Sequence, residues 1–134
     1  LVFYQSPGHN PDGLFTVVEP LGVWIAGDYL SDVEFPFIHA DSRQYEESLA
    51  KVEPILGRHR VNLLIPGHGA CTSDVDEIRR RRDRDIAYIT RLRESVRAGD
   101  QAAIDALIDG YAYPRNMRDY HRKNQERIRG ELGL

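Results

Sequence analysis

The chain has 134 residues, of which 41% are hydrophobic and 29% are charged, and its formal net charge is −3. This balance is typical of one folded globular domain, excludes a disordered chain, and gives no general attraction to nucleic acids or to anionic membranes. No apolar run approaches the roughly 20 residues of a membrane span, and the lone Cys71 excludes an internal disulfide, so we expect a cytoplasmic protein.

Four short runs rich in β-branched, aromatic and leucine side chains predict strands. Residues 1–5 form the first, and residues 14–19 and 22–26 are expected to pair as a hairpin around Pro-Leu-Gly. The fourth run, residues 61–65, is almost entirely apolar, which predicts a central strand covered on both faces. Because a helix is predicted between the third and fourth strands, the fold class is α/β.

Helical spacing of apolar residues dominates the rest of the chain. It predicts four helices: from Asp41 or Ser42 to a C-cap at Gly57, and over residues 74–98, 101–109 and 115–132. The sequence thus divides into an αβ part, residues 1–73, and a helical tail, residues 74–134, that packs on the same domain.

Three polar side chains follow the first, third and fourth predicted strands. They are His9 in SPGHNPDG, Asp28 in AGDY and His68 in IPGHG. Each alone has an ordinary alternative, because turn-rich loops often carry a solvated histidine and Gly-Asp often caps a helix. Strand ends of one sheet meet at one edge, however, and imidazole with carboxylate suits zinc best, and iron or manganese nearly as well. Together they predict a metal site.

These segments resemble those of the metallo-β-lactamase-fold hydrolases. SPGHNPDG is similar to the family's TPGHTPGS, VWIAGDYL to its strand ending in GD, and LLIPGHG to its PGHG segment. The resemblance covers about residues 1–70. It implies the C-terminal αβ half of a four-layer αββα sandwich, followed here by the helical tail. It also implies that His9 ligates a first ion, that His68 ligates a second, and that Asp28 bridges both as the catalytic carboxylate.

The chain departs from the family by lacking the HxHxDH segment of the first half, which supplies the other ligands. Each ion would keep two protein ligands here, whereas zinc normally takes three and a water. The chain also begins inside a predicted strand without Met, so we expect it to be a C-terminal piece of something longer. The resemblance implies a parent in which two ions activate a shared water to hydrolyse a small ester, thioester or lactone. This chain alone is expected to be inactive.

Two other functions stay open at this point. A half-sandwich exposes the face that packs on its partner, so the chain is alternatively a binding or assembly module that pairs with the missing half or with a second copy. The arginine run at residues 79–84 is a candidate nucleic-acid patch. Acidic residues at helical spacing from it favour instead a solvated, ion-paired helix face, and we expect no nucleic-acid or membrane partner.

Two further residues are candidates for contact with a small-molecule substrate. His39 lies in the loop after the Asp28 strand, and Tyr29 directly follows Asp28. Their alternatives are a loop histidine beside two packed phenylalanines, and a tyrosine that packs and donates one hydrogen bond. His39, His59 and His121 stand isolated and cannot replace the HxHxDH segment, and His121 is expected on a helix surface.

Overall fold

The elements of the chain form an α/β fold with a four-stranded mixed sheet. The computed structural model describes residues 1–134. Its strands are Val2–Gln5 (β1), Leu14–Val18 (β2), Val23–Gly27 (β3) and Leu63–Pro66 (β4). Its helices are Ser42–Ala50 (α1), Val52–Arg58 (α2), Val75–Ala98 (α3), Gln101–Ala106 (α4) and Pro114–Glu131 (α5). None of these helices has both the length and the apolar character needed to cross a membrane.

The strand directions bring three strand ends to one edge of the sheet. The spatial order is β1-β2-β3-β4, with β1–β2 and β2–β3 antiparallel and β3–β4 parallel. Consequently β1, β3 and β4 run in the same direction, and the loops that follow them leave from the same edge. The hairpin expected between the second and third strands is confirmed as β2–β3.

The prediction that the fourth strand is central is wrong. β4 is the last strand of the sheet, and its free side makes only an isolated bridge between Leu64 and Thr72. Leu63 and Ile65 are only partly buried. The apolar run was misleading because the sheet face that these two side chains share is apolar and yet uncovered.

One face of the sheet carries the core and the other face is open. Phe15 and Trp24 point into the core and are fully buried. On the opposite face the strand register aligns Phe3, Thr16, Ile25 and Ile65 in one row, and Phe3 and Ile25 are 58% and 43% exposed. A solvated sheet face normally carries polar side chains. We call this apolar surface the open sheet face.

The first predicted helix is two helices in the structure. α1 ends at Ala50, and α2 carries Pro54 in its first turn. Because proline has no N–H and its ring would clash with the Ala50 carbonyl one turn earlier, one continuous helix cannot form. The predicted cap at Gly57 is also wrong, since α2 continues to Arg58.

The tail helices pack on the αβ part through a shared core. Twenty-three buried hydrophobic residues form one cluster that extends from Phe15 of β2 to Ile128 of α5. α3 lies in the middle of this packing and contacts α1, α2, α4 and α5. It begins after the N-cap Asp74 and ends at Gly99, whose φ of 68° is the left-handed C-cap conformation that glycine favours.

Asn124 of α5 joins the tail to the loop that follows Asp28. It is 2% exposed. Its Oδ1 accepts from the Ile38 N–H at 2.9 Å, and its Nδ2 donates to the Pro36 carbonyl at 2.6 Å and to the Tyr88 hydroxyl at 3.0 Å. We call these three hydrogen bonds the Asn124 clamp. They hold the loop at the site against α3 and α5.

His121 is buried, so its predicted place on the helix surface is wrong. It is 4% exposed. Its Nδ1 lies 2.7 Å from the Tyr88 hydroxyl and its Nε2 lies 2.7 Å from the Ile104 carbonyl. Because a carbonyl only accepts, Nε2 carries the proton and the tyrosine donates to Nδ1. Burial lowers the pKa of His121, which favours this neutral ring.

Candidate metal centre

His9 and Asp28 meet at the edge of the sheet where β1 and β3 end. His9 Nε2 lies 2.9 Å from Asp28 Oδ2, and the His9 side chain is 12% exposed. On the other side of the ring, Nδ1 lies 2.7 Å from the carbonyl oxygen of Phe37. The carbonyl can only accept, so Nδ1 carries a proton and Nε2 is the nitrogen aimed at the carboxylate.

His68 approaches the same carboxylate from β4. Its Nε2 lies 3.3 Å from Asp28 Oδ1, and its Nδ1 lies 3.9 Å from Glu34 Oε1. The two histidines therefore face different oxygens of Asp28. Each ring also has an oxygen atom near Nδ1, supplied by the loop that follows Asp28. The three side chains that the sequence placed at strand ends lie together in the structure.

Glycine allows the His68 loop to come this close to Asp28. A Cβ atom at Gly67 would lie 2.7 Å from Asp28 Oδ1, which is closer than real Cβ contacts allow. In the His9 loop, Gly8 has a φ of 123°, and a Cβ there would lie 2.3 Å from the backbone nitrogen of Tyr45. Both loops thus depend on a position without a side chain.

The donor atoms fit part of a metal site. Two ligands about 2.1 Å from one zinc ion, and about 90–109° apart, are separated by about 3.0–3.4 Å. The distance from His68 to Asp28, 3.3 Å, lies within this range, and the distance from His9 to Asp28, 2.9 Å, lies just below it. Nδ1 of His9 faces the Phe37 carbonyl and Nε2 faces the Asp28 carboxylate, so Nε2 is the ring nitrogen available to a cation at this place.

The arrangement is two pairs of candidate ligands, and no three histidine, cysteine, aspartate or glutamate side chains form one group that could hold an ion. His9 and Asp28 are the first pair, and Asp28 and His68 are the second. Zinc normally takes at least three protein ligands. Each pair therefore needs further ligands to form a tight site.

Tyr29 lies in the core beneath the site. It is 2% exposed. Its hydroxyl donates to the Pro7 carbonyl at 2.7 Å and accepts from the His9 N–H at 3.2 Å, and burial raises its pKa. In this position Tyr29 holds the loop that carries His9, which corresponds to the packing alternative weighed for it.

His39 lies at the mouth of the site. Its ring centroid is 4.9 Å from that of His9. Partial burial lowers the pKa of His39, and the neighbouring His9, Lys123 and Arg127 lower it further. This candidate is therefore adjacent to the ligand pair, with two cationic side chains of α5 nearby.

Sequence reasoning missed Glu34 and the Phe37 carbonyl. Glu34 lies beside His68, and burial raises its pKa. A backbone carbonyl leaves no mark in a sequence, and Glu34 lies in an irregular loop whose path depends on the Asn124 clamp. Only the irregular, proline-containing character of residues 31–40 could have drawn attention to this loop.

A cavity of about 570 Å³ opens beside the two ligand pairs. It is lined by the three predicted ligands, by Glu34 and His39, and by side chains of the loop and of α5. Two cavities of similar volume, about 490 and 590 Å³, lie against α4 and beside the end of α5. Neither of them contains His9, Asp28 or His68.

The arginine-rich segment of α3 is ion-paired. Arg79 and Arg82 both contact Glu53 of α2, at 2.9 and 2.8 Å, and Arg80 contacts Glu77 at 2.9 Å. The hydrogen bonds from Arg79 and Arg82 lower the pKa of Glu53 to about 2. The Arg80–Glu77 pair is the kind expected from the acidic spacing. The pairs with Glu53 come from α2 and could not be predicted from that spacing, and Asp85, also at helical spacing, is buried at 2% exposure and forms no ion pair.

The chain matches no protein-family model, and no curated protein sequence matches it. The hypothesis of a metallo-β-lactamase fold therefore depends on the three sequence segments and on the geometry of the residues they carry. The α/β class and the mixed sheet are observed directly.

Proposed function

We propose that the chain carries part of the dinuclear site of a metal-dependent hydrolase of the metallo-β-lactamase fold. The observation that carries this proposal is the position of Asp28 between two histidines, with a different carboxylate oxygen facing each Nε2. Asp28 would therefore hold one ion together with His9 and a second ion together with His68. The fixed proton on Nδ1 of His9 supports the proposal because it leaves Nε2 free to ligate.

The proposed reaction is the hydrolysis of a small ester, thioester or lactone. Bound zinc, or alternatively iron or manganese, would lower the pKa of a water molecule and polarise the substrate carbonyl. The water oxygen bonds to the carbonyl carbon, the carbon–oxygen or carbon–sulfur bond breaks, and a proton of the water leaves with the alcohol or thiol. Asp28 holds the two ligand pairs in register, and the Phe37 carbonyl and Tyr29 orient His9.

A second segment is proposed to complete the site, because each pair offers two ligands. The open sheet face supports this step, since an apolar surface of this kind gains stability when another element covers it. We therefore propose that this chain alone does not hydrolyse substrate, and that the missing ligands come from a partner half.

The open sheet face also favours a second candidate function. A chain with exposed Phe3 and Ile25 in one row could act as an assembly module that pairs with a second copy and holds no metal. Sedimentation of the isolated chain tests this candidate. A concentration-dependent dimer that Phe3→Lys abolishes would support it, and a monomer at all concentrations would argue against it.

Zinc titration of the ¹⁵N-labelled chain tests the metal site. We expect the ring nitrogens of His9 and His68 to shift while those of His59 and His121 stay in place. Asp28→Asn should abolish both shifts, because it removes the shared ligand. Asp12→Asn is the matched control, since Asp12 is exposed in the loop that carries His9. Unchanged zinc binding by Asp28→Asn would overturn the proposal.

A further inference from the structure

One face of α5 borders the cavity at the candidate metal centre. Tyr113, Asn116, Met117 and Tyr120 line it. Asn116, Met117 and Tyr120 lie at helical spacing on one side of α5, and Tyr113 is the N-cap residue that directly precedes the helix. The buried stripe of α5 begins at Met117 and runs on to Ile128. The four residues are therefore a separate stripe that shares only Met117 with the core.

The cavity stripe is tied to the loop that orients His9. The ring of Tyr120 stacks on that of Phe37, with centroids 4.3 Å apart and planes 10° apart. The Phe37 carbonyl in turn holds His9 Nδ1. Phe37 thus binds the proposed ligand His9 through its carbonyl and packs its ring against Tyr120 of the cavity stripe.

The cavity stripe exposes aromatic surface beside the polar side chains of the candidate metal centre. Tyr113 and Tyr120 are 59% and 40% exposed, and Phe37 and Met117 also line the cavity. Asn116 adds an amide that both donates and accepts hydrogen bonds. Cavities that bind small molecules combine an apolar lining with few polar groups and span about 300–1,000 Å³, and this one measures about 570 Å³. An acetyl group would leave most of that volume to water.

We propose that α5 forms the acyl-binding wall of the site and that the substrate carries a flat apolar acyl group of the aryl or arylalkyl class. Tyr120 and Met117 are its specificity-determining residues, and Asn116 hydrogen-bonds a polar substituent of the acyl group. The assignment of this group as acyl rests on the proposed function. Binding of the flat group to the wall requires no metal, so the two can be tested separately.

Met117 is the only methionine and Trp24 the only tryptophan of the chain, so each gives a single NMR probe. With a ¹³C-labelled methionine methyl, 2-naphthylacetate should shift the Met117 resonance in a saturable way through its ring current. Acetate, which has the same carboxylate without the rings, should not. The indole N–H of Trp24, fully buried in the core, should stay in place and reports that the chain is folded.

Tyr120→Ala should weaken naphthylacetate binding about three- to tenfold, the effect of losing one aromatic contact. Tyr113→Ala provides a second variant at the exposed rim if Tyr120→Ala disturbs the fold. Arg118→Ala, which changes an exposed position of the same helix outside this cavity, should bind as the wild type does.

A Met117 methyl that does not respond to naphthylacetate would overturn the inference. Tyr120→Ala and Tyr113→Ala variants that both bind naphthylacetate as tightly as the wild type would also overturn it. Zinc shifts at His9 and His68 without a Met117 response would overturn the acyl wall and leave the proposed function standing. A Met117 response that is lost in Tyr120→Ala would support the wall whether or not this chain, which lacks the ligands proposed for the partner half, binds zinc.

Discussion

Asn124→Ala tests how strongly the tail holds the loop at the site. The substitution removes all three hydrogen bonds of the Asn124 clamp. It leaves the Ile38 N–H and the Pro36 carbonyl without partners in a buried region, since Ile38 is 3% exposed and Pro36 is also buried. We expect a substantial loss of stability although the substitution lies far along the chain from the strands.

The magnitude follows from the two backbone groups. Each buried group left unpaired costs about 1–3 kcal/mol, so about 3 kcal/mol in total is expected for Asn124→Ala. With a urea m-value of about 1.5 kcal/mol per molar, the unfolding midpoint should fall by about 2 M. Urea unfolding followed by the fluorescence of Trp24 measures this directly, because that side chain is fully buried in the core.

Asn116→Ala is the matched control, since it changes the same residue type at an exposed position of the same helix. Its free energy of unfolding should stay within about 0.5 kcal/mol of the wild type. An Asn124→Ala variant that unfolds at the same urea concentration as this control would refute the reasoning. The loop would then be held by packing alone.

Three other predictions concern the site and the helix behind it. Gly67→Ala should weaken zinc binding about tenfold, measured by calorimetry, because the new Cβ would lie 2.7 Å from Asp28 Oδ1. Glu34→Ala should weaken it only about two- to fivefold, the effect of losing a weak ion pair, because Glu34 Oε1 lies 3.9 Å from His68 Nδ1 and makes no hydrogen bond to it. Burial raises the pKa of Asp85 well above its ordinary value, so the native state binds more protons than the unfolded one and stability falls as the pH rises above about 4. Asp85→Asn should therefore be more stable than the wild type at pH 7 and lose this advantage near pH 3. Each unit by which the pKa of Asp85 is raised contributes about 1.4 kcal/mol to the difference at pH 7. Urea unfolding at both pH values measures it.

Specific outcomes would contradict each of these expectations. Equal zinc affinity in Gly67→Ala would show that the Asp28 carboxylate moves freely without cost. Equal affinity in Glu34→Ala would remove Glu34 from any role in orienting His68. A pH-independent difference between Asp85→Asn and wild type would mean that the buried carboxyl does not change its protonation on unfolding.

The local parts of the fold could be predicted from the sequence, and the parts that depend on packing could not. Strand-like runs and helical spacing located the elements, since these patterns report local backbone preference and the buried side. The position of the last strand could not be read in this way. Leu63 and Ile65 look like residues buried on both sides, and only the three-dimensional structure shows that their shared face is uncovered.

The candidate site shows the same division. His9, Asp28 and His68 could be placed together because each lies where a strand ends, and strand ends follow from local patterns. His121 was misplaced because charged neighbours in the sequence hide a buried helical stripe. The place of Asn116, Met117 and Tyr120 at the cavity could not be predicted, since it depends on contacts with a loop about 80 residues earlier in the chain.

Phe37 connects the proposed ligand His9 to helix α5. Its carbonyl holds His9, its ring stacks on Tyr120, and the residues on both sides of it are bonded to Asn124. We therefore expect a ligand that immobilises the His9 ring also to stabilise α5, and by linkage a loosening of α5 to weaken the binding of that ligand. Amide hydrogen exchange in the second half of α5 would thus slow when an ion binds at the opposite end of this chain of contacts.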